Sequence, residues 1–212
     1  MGITERRERE KEQRKNEILD SAEQIFFSKG FENASMDDIA EKAELSKGTL
    51  YLYFKNKEDL YLALHSRGHS IMKTMFEKAA AEHDIGIEKV RAIGEAYYQF
   101  YKKYPKYFHV LIYFESRDID FSDENSAAMI CFKEGEQILN ILIEAIKTGI
   151  KDGSIRPGID PLKTAISLWG KSTGVIQIMA LKKDILKHAM SINTDEIINY
   201  AYDLISHALS NK

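Results

Sequence analysis

Residues 35 to 57 read SMDDIAEKAELSKGTLYLYFKNK, and within them Lys47, Thr49, Tyr51 and Tyr53 set a cation, a hydroxyl and two phenols along one short helix. Ile39, Ala40, Ala43, Leu45 and Leu50 supply the apolar inner side. A helix, a tight turn and a second helix form a unit whose second helix can lie in the major groove of duplex DNA. There each base pair shows a distinct pattern of donors and acceptors. The stretch from Leu45 to Lys57 holds three lysines and no acid, so it is the local basic exit that a polyanion requires. Helix starts at Ser35 and Asn56 add backbone N–H groups for phosphate.

Other residues offer other chemistry. His65 and His69 stand at the i,i+4 spacing of a two-histidine metal face, yet no acidic or cysteine partner is fixed by spacing, so no metal is expected. Cys131 sits inside an apolar helix and reads as an inert buried thiol. Tyr97, Tyr101, Phe108, Phe132 and Trp169, with Met129, Thr173 and the polar Glu136, could line a ligand cavity between helices or simply form core. Gly170 and Gly174, four apart beside Ser172 and Thr173, would let two helices approach closely at a subunit interface. There is no phosphate-cradling glycine loop after a strand, no nucleophile elbow and no HExxH, so neither an enzyme nor a cofactor is expected. A helical small-molecule-binding protein, or an enzyme whose C-terminal bundle carries the activity, is the alternative.

The elements that must position these residues are legible from caps and spacing. Glu5 to Lys15 is nearly all charge, a solvated helix start or a flexible arm whose Arg6, Arg7 and Arg9 would reach a minor groove. Ile18, Leu19, Ala22, Ile25 and Phe26 then recur at helical spacing, and Gly30 before Phe31 reads as a left-handed stop. Ser35 with Asp38 makes a capping box, Ser46 caps the next short helix, and Asn56 with Asp59 starts another near Lys57. Helices so short need packing to persist. Later helices are expected over Ile85 to Tyr104, Tyr107 to Phe114, Met129 to Ile146, Leu162 to Leu181 and Thr194 to Leu209, with a polar gap at Asp118 to Glu124. The whole is all-α with about nine helices: a three-helix head over residues 1–64 and a helical domain over 65–212.

Composition bounds the rest. The chain has 212 residues, 44% of them hydrophobic, and a net charge of −3, the profile of a folded globular protein rather than a disordered one. One cysteine excludes a disulfide scaffold. No apolar run reaches the ~18 residues of a membrane span, and the charged N-terminus is unlike a signal peptide, which points to a cytoplasmic protein without a membrane partner. Residues 1–64 carry 11 basic against 14 acidic side chains, so contact with DNA must rest on the local lysines.

The string SKGTLYLYFKNKEDL at Ser46 to Leu60, preceded by IAEKA at Ile39 to Ala43 and FSKGF at Phe27 to Phe31, resembles the DNA-binding head of the TetR family of repressors. The likeness is dense over residues 15 to 64; beyond them only a variable helical domain of about this length agrees. It implies that Lys47, Gly48, Thr49, Tyr51 and Tyr53 face the duplex from the recognition helix, and that Ser35 and Lys57 hold phosphates at helix starts. Ser46, at the start of the recognition helix, joins that set. Gly48 leaves no side chain between backbone and DNA, Thr49 and Tyr51 suit base edges, and Tyr53 and Lys57 suit phosphate oxygens. It also implies a homodimer through the last two long helices, a pseudo-palindromic operator, and release by a hydrophobic or amphipathic effector. One departure stands out: the family usually has glycine in the turn, where this chain has Glu44. A left-handed backbone there would cost on the order of 1 kcal/mol.

Overall fold

The charged run and the apolar face at the start of the chain join into one helix, α1 (Ile3–Asn33), in the computed structural model, which describes residues 2–115, 123 and 126–211. Residues 4–17 are exposed throughout, and burial begins at Ile18 and Leu19. The N-terminal arginines are therefore helical, with Arg6 paired to Glu10 at 2.8 Å and Arg14 to Glu17 at 2.7 Å. Gly30 breaks the helix at φ 77°, ψ 164°. The positive φ agrees with the sequence, but ψ is extended rather than left-handed helical, a region open essentially to glycine. The turn brings Phe31 onto Phe26, ring centroids 5.9 Å apart.

Next come α2 (Met36–Lys42), α3 (Lys47–Tyr51) and α4 (Lys57–Ala81). At α2 the capping box forms as its spacing demands. Ser35 Oγ accepts from the Asp38 amide at 3.1 Å, and the Asp38 carboxylate accepts from the Ser35 amide at 3.0 Å. At the other end of α2, Leu45 N donates to Ala40 O at 2.9 Å and Glu44 N to Glu41 O at 3.1 Å, the paired bonds of a Schellman stop. Glu44 keeps the left-handed backbone of that stop, with φ 55°. Replacing Glu44 with glycine is expected to raise stability by about 0.5 to 1 kcal/mol, because strain at a Cβ-bearing αL residue outweighs the entropy glycine adds to the unfolded chain. Thermal unfolding should show a rise of a few degrees; no rise would mean the turn is unstrained.

The remaining helices are α5 (Gly86–Lys103), α6 (Pro105–Glu115), α7 (Ala127–Asp152), α8 (Pro161–Ala189) and α9 (Thr194–Leu209). The described residues thus form nine helices and no strand; Ile155 and Ser210 make an isolated antiparallel bridge. Tyr107 to Phe114 is a helix, as the lack of a pairing partner required. The polar stretch at Asp118 to Glu124 lies outside the described residues except for Asp123. Helix α8 runs past Leu181, where Lys182 departs from helical geometry at φ −114°, ψ 15°. No helix among the described residues is long and apolar enough to cross a membrane.

Two compact units emerge: Met1–Gly68 with Lys106–Phe132, and His69–Pro105 with Lys133–Lys212. In the first, Ile18, Ala22, Phe26, Ile39, Leu50, Phe54, Leu60 and Leu64 are buried. This unit also takes in α6. Tyr107 donates to Glu23, which with Asp20 holds Arg67 at 3.0 and 2.7 Å, and Tyr113 donates to Glu32 at 2.9 Å. In the second, α5 begins against the end of α7. Gly86 N donates to Asp152 at 2.7 Å and Ile87 N to the Ser154 hydroxyl at 3.2 Å.

Candidate nucleic-acid interface

Five residues of helix cannot persist alone, and α3 is held from both sides of its own sequence. At its start Ser46 Oγ accepts from the Thr49 amide at 3.1 Å and shares a hydrogen bond with Thr49 Oγ1 at 2.9 Å. At its inner side Leu50 and Phe54 are buried. Pinning those two positions turns the opposite face outward: Lys47, Gly48, Tyr51 and Leu52 are exposed, and Thr49 and Tyr53 half-buried. A Cβ added to Gly48 would meet only Ser46 Oγ, at 3.8 Å, so the backbone of α3 is open on that side. Tyr51, half exposed at 50%, stands one turn beyond Lys47.

The electrostatics of this face differ from the bare tally of charges. Asp38 is tied inward: Lys29 Nζ lies 2.6 Å from it, and the Lys29 ammonium together with the Ser35 hydroxyl holds its carboxyl down at about 2. Asp37 instead pairs across the turn with Lys47 at 2.6 Å, and that hydrogen bond raises the lysine above its ordinary value. The pair joins residues ten apart, so only the folded turn reveals it. Leu52, 80% exposed, is likewise missing from the sequence reading. Its signal is an apolar residue flanked by two phenols with no helical partner to bury it.

Lys57 is placed differently from a free phosphate ligand. Its Nζ donates to Phe31 O at 2.8 Å and Glu32 O at 3.4 Å, 4.4 Å from the centre of the Phe31 ring. The ammonium thus holds the carbonyl end of α1. With three hydrogens it retains one for an outside acceptor. At the start of α4, Asn56 Oδ1 accepts from the Asp59 amide at 2.7 Å, and Asp59 accepts from the Lys55 amide at 3.1 Å.

The expected effector residues are divided between the units. In the second, Tyr97 is buried and its hydroxyl shares a hydrogen bond with Thr173 at 2.9 Å, while Tyr101 is half-buried. Glu136 is exposed, and Trp169 is 40% exposed. In the first, Phe108 and Met129 are buried and Phe132 faces outward. Phe132, Glu136 and Trp169 thus stand at the surface of the single chain rather than in its core. The reason is helical phase: Cys131, Ile138, Leu142 and Ala145 set the buried face of α7, and Phe132 and Glu136, four apart, fall on its flank. His65 is buried with its ring 4.4 Å from that of Phe114, and His69 Nδ1 lies 3.7 Å from Glu134. Cys131 Sγ is buried, 3.5 Å from Leu62 O and from Ser66 Oγ.

Comparison with known proteins adds an independent line. The family model of bacterial regulatory proteins of the tetR family matches residues 18–64. An HTH-type transcriptional regulator of Bacillus subtilis, YhgD, is 32% identical over 155 residues, 72% of this chain and 76% of that protein. A regulatory protein of the tetR family from Rhodococcus has a crystal structure similar to this fold, with a TM-score of 0.70, 18% identity, and coverage of 94% of this chain and 98% of that one. The regulator FadR from Bacillus subtilis, solved with stearoyl-CoA, gives a TM-score of 0.68 at 20% identity over 90% and 96% of the two chains.

Proposed function

This chain belongs to the tetR family of bacterial regulatory proteins, DNA-binding regulators rather than enzymes, and from that premise we propose a repressor that binds a pseudo-palindromic operator as a homodimer and is released by a hydrophobic or amphipathic effector. The observation that carries the reading is α3 itself: Lys47, Gly48 and Tyr51 form an outward face on a helix pinned by Leu50 and Phe54, with the half-buried Thr49 at its edge. Residues 1–64 act as the DNA-binding head and 65–212 as the effector and dimerisation domain, working in the cytoplasm. Ser35, Ser46, Tyr53 and the remaining hydrogen of Lys57 position the head on phosphates, while Thr49 and Tyr51 read base edges.

Selection of binding sites from random duplex DNA at stated salt should return an inverted repeat. Against that operator, Thr49→Ala and Tyr51→Ala are each expected to weaken discrimination at particular positions by about 1 to 3 kcal/mol. Gly48→Ala separates folding from binding. Its new methyl has room within the chain and improves helix propensity, so stability holds or rises while operator affinity falls. Cognate and scrambled duplexes bound with unchanged preference by all three variants would remove α3 from the groove.

The second copy is supported by an uncovered apolar seam. Along α8, Leu162, Ile166, Trp169, Ile178, Leu181 and Ile185 are exposed, Leu181 by 79%. Added Cβ atoms at Gly170 and Gly174 would meet nothing in the chain. On α9, Tyr200 and Leu204 are exposed one turn apart. A face this large and apolar on a folded chain marks an association surface. Two-fold pairing through it would set two recognition helices on successive major grooves, about 34 Å apart.

The FadR complex with stearoyl-CoA supports an amphipathic effector, and the Tyr97–Thr173 pair is the proposed polar anchor for it, with Tyr101 beside it on α5. Induction runs through α4, whose residues Lys57–Ala81 continue from the head into the second unit. To empty the operator, the effector must prefer the released state by a few kcal/mol, since equal affinity for both states shifts nothing.

A further inference from the structure

The N-terminal half of α1 is long, uncovered and charged, and the charges are sorted around it. Arg7 and Lys11 stand four apart, Arg14 and Lys15 follow Lys11 at three and four, and the same ridge continues into Ile18 and Ala22, which are buried in the head. The basic ridge is therefore the extension of the face that α1 turns toward α2, α3 and the start of α4. Lys15 confirms that direction within the unit: its Nζ lies 5.9 Å from the ring centre of Phe54, just beyond the recognition helix. Glu5, Glu8 and Glu12 form a separate ridge about 100° further round the helix. Among the described residues, Arg6 and Arg14 are paired to Glu10 and Glu17, whereas Arg7 and Lys11 take no carboxylate.

We propose that this arm is a rigid phosphate-tracking extension of the head, with Arg7 and Lys11 contacting backbone phosphates of DNA that flanks the operator. The inference rests on the DNA-binding reading of α3 and extends the contact surface beyond it. Charge selects the occupant. Arg7 and Lys11 lie on the face that α1 turns toward the head, and a polyanion that meets this ridge has the acidic ridge to one side rather than beneath it. Interleaved glutamates keep the arm helical through the i,i+4 pair Arg6–Glu10 and the i,i+3 pair Arg14–Glu17 and bar it from threading a groove as an extended strand. Residues 4–17 give about 21 Å of reach, roughly six base-pair steps of flank per head. Contacts of this kind add affinity and salt dependence but no sequence preference.

The test compares the full chain with an Arg7→Gln/Lys11→Gln variant on two duplexes. One carries the selected operator within long flanks, and the other is trimmed to the operator. For wild type, which carries one arm on each head of the dimer, trimming should flatten the plot of log K against log salt by nearly four, equivalent to about 150-fold between 50 and 200 mM salt. The variant, its helicity verified by circular dichroism, should show the flatter slope on both duplexes with unchanged sequence preference. A Glu5→Gln/Glu12→Gln control should keep the flank dependence. Equal slopes for wild type on the two duplexes, or for wild type and variant on the long one, overturn the arm while leaving α3 in the groove. A wild-type protein that selects no site overturns both.

Discussion

Placing glutamate at both Ile178 and Leu204 is expected to convert the proposed dimer to a 24.3 kDa monomer and to lower operator affinity by two to three orders of magnitude. Both side chains are more than half exposed in the single chain, Ile178 by 59% and Leu204 by 54%, so the substitutions leave the fold of one protomer intact. In the dimer each would bury a carboxylate against an apolar partner, a penalty of several kcal/mol across a two-fold interface that repeats it. The loss on DNA follows from linkage of the two heads. The second half-site is bound at an effective concentration in the millimolar range, so a monomer loses a factor of about 10² to 10⁴ without losing any contact of its own. Light scattering at micromolar protein, with a binding curve on the selected operator, reads both effects. A dimer that survives the double substitution would move the interface away from α8 and α9.

Gly86→Ala is expected to destabilise the second unit by at least about 3 kcal/mol, the range of severe overpacking. A Cβ at that position would stand 1.9 Å from the amide nitrogen and 2.2 Å from the Cα of Gly149. These are backbone atoms, which no rotamer change can move aside. Gly149 is itself blocked, since a Cβ there would lie 2.5 Å from the buried Ile155 side chain. The two helices meet backbone to backbone, and prising them apart also breaks the bonds from Gly86 N to Asp152 and from Ile87 N to Ser154. Thermal unfolding should fall by roughly 6 to 12 °C for a chain of this size. Gly48→Ala, whose added Cβ meets only Ser46 Oγ at 3.8 Å, serves as the matched control. If Gly86→Ala melts with wild type, the helices can part freely and the close crossing is not a structural requirement.

Local chemistry sufficed for much of the molecule. Ser35 with Asp38, Ser46 before Thr49 and Asn56 before Asp59 are caps written within four residues, so the starts of three helices in the head are legible without any tertiary information. The apolar periods of Ile18 to Phe26 and Ile197 to Ile205 likewise name helices, because a helix face depends only on residues three and four apart. The recognition row followed from the same rule once Leu50 was taken as inner.

What tertiary structure alone decided depends on residues brought together from far apart. Lys57, read as a phosphate ligand, spends two of its hydrogens on carbonyls 25 and 26 residues earlier. The closing turn of α2 keeps a left-handed glutamate, because the bonds of its Schellman stop and the helices on either side hold it there. Aromatic residues show the limit most plainly. Tyr97 and Trp169 look alike as bulky apolar positions in helices, yet one is buried and hydrogen-bonded and the other lies on an uncovered seam. Composition and period specify that a helix has an apolar face, and this sequence specified that much by itself. Which neighbour covers the face is a property of how the helices pack, and that only the fold supplies.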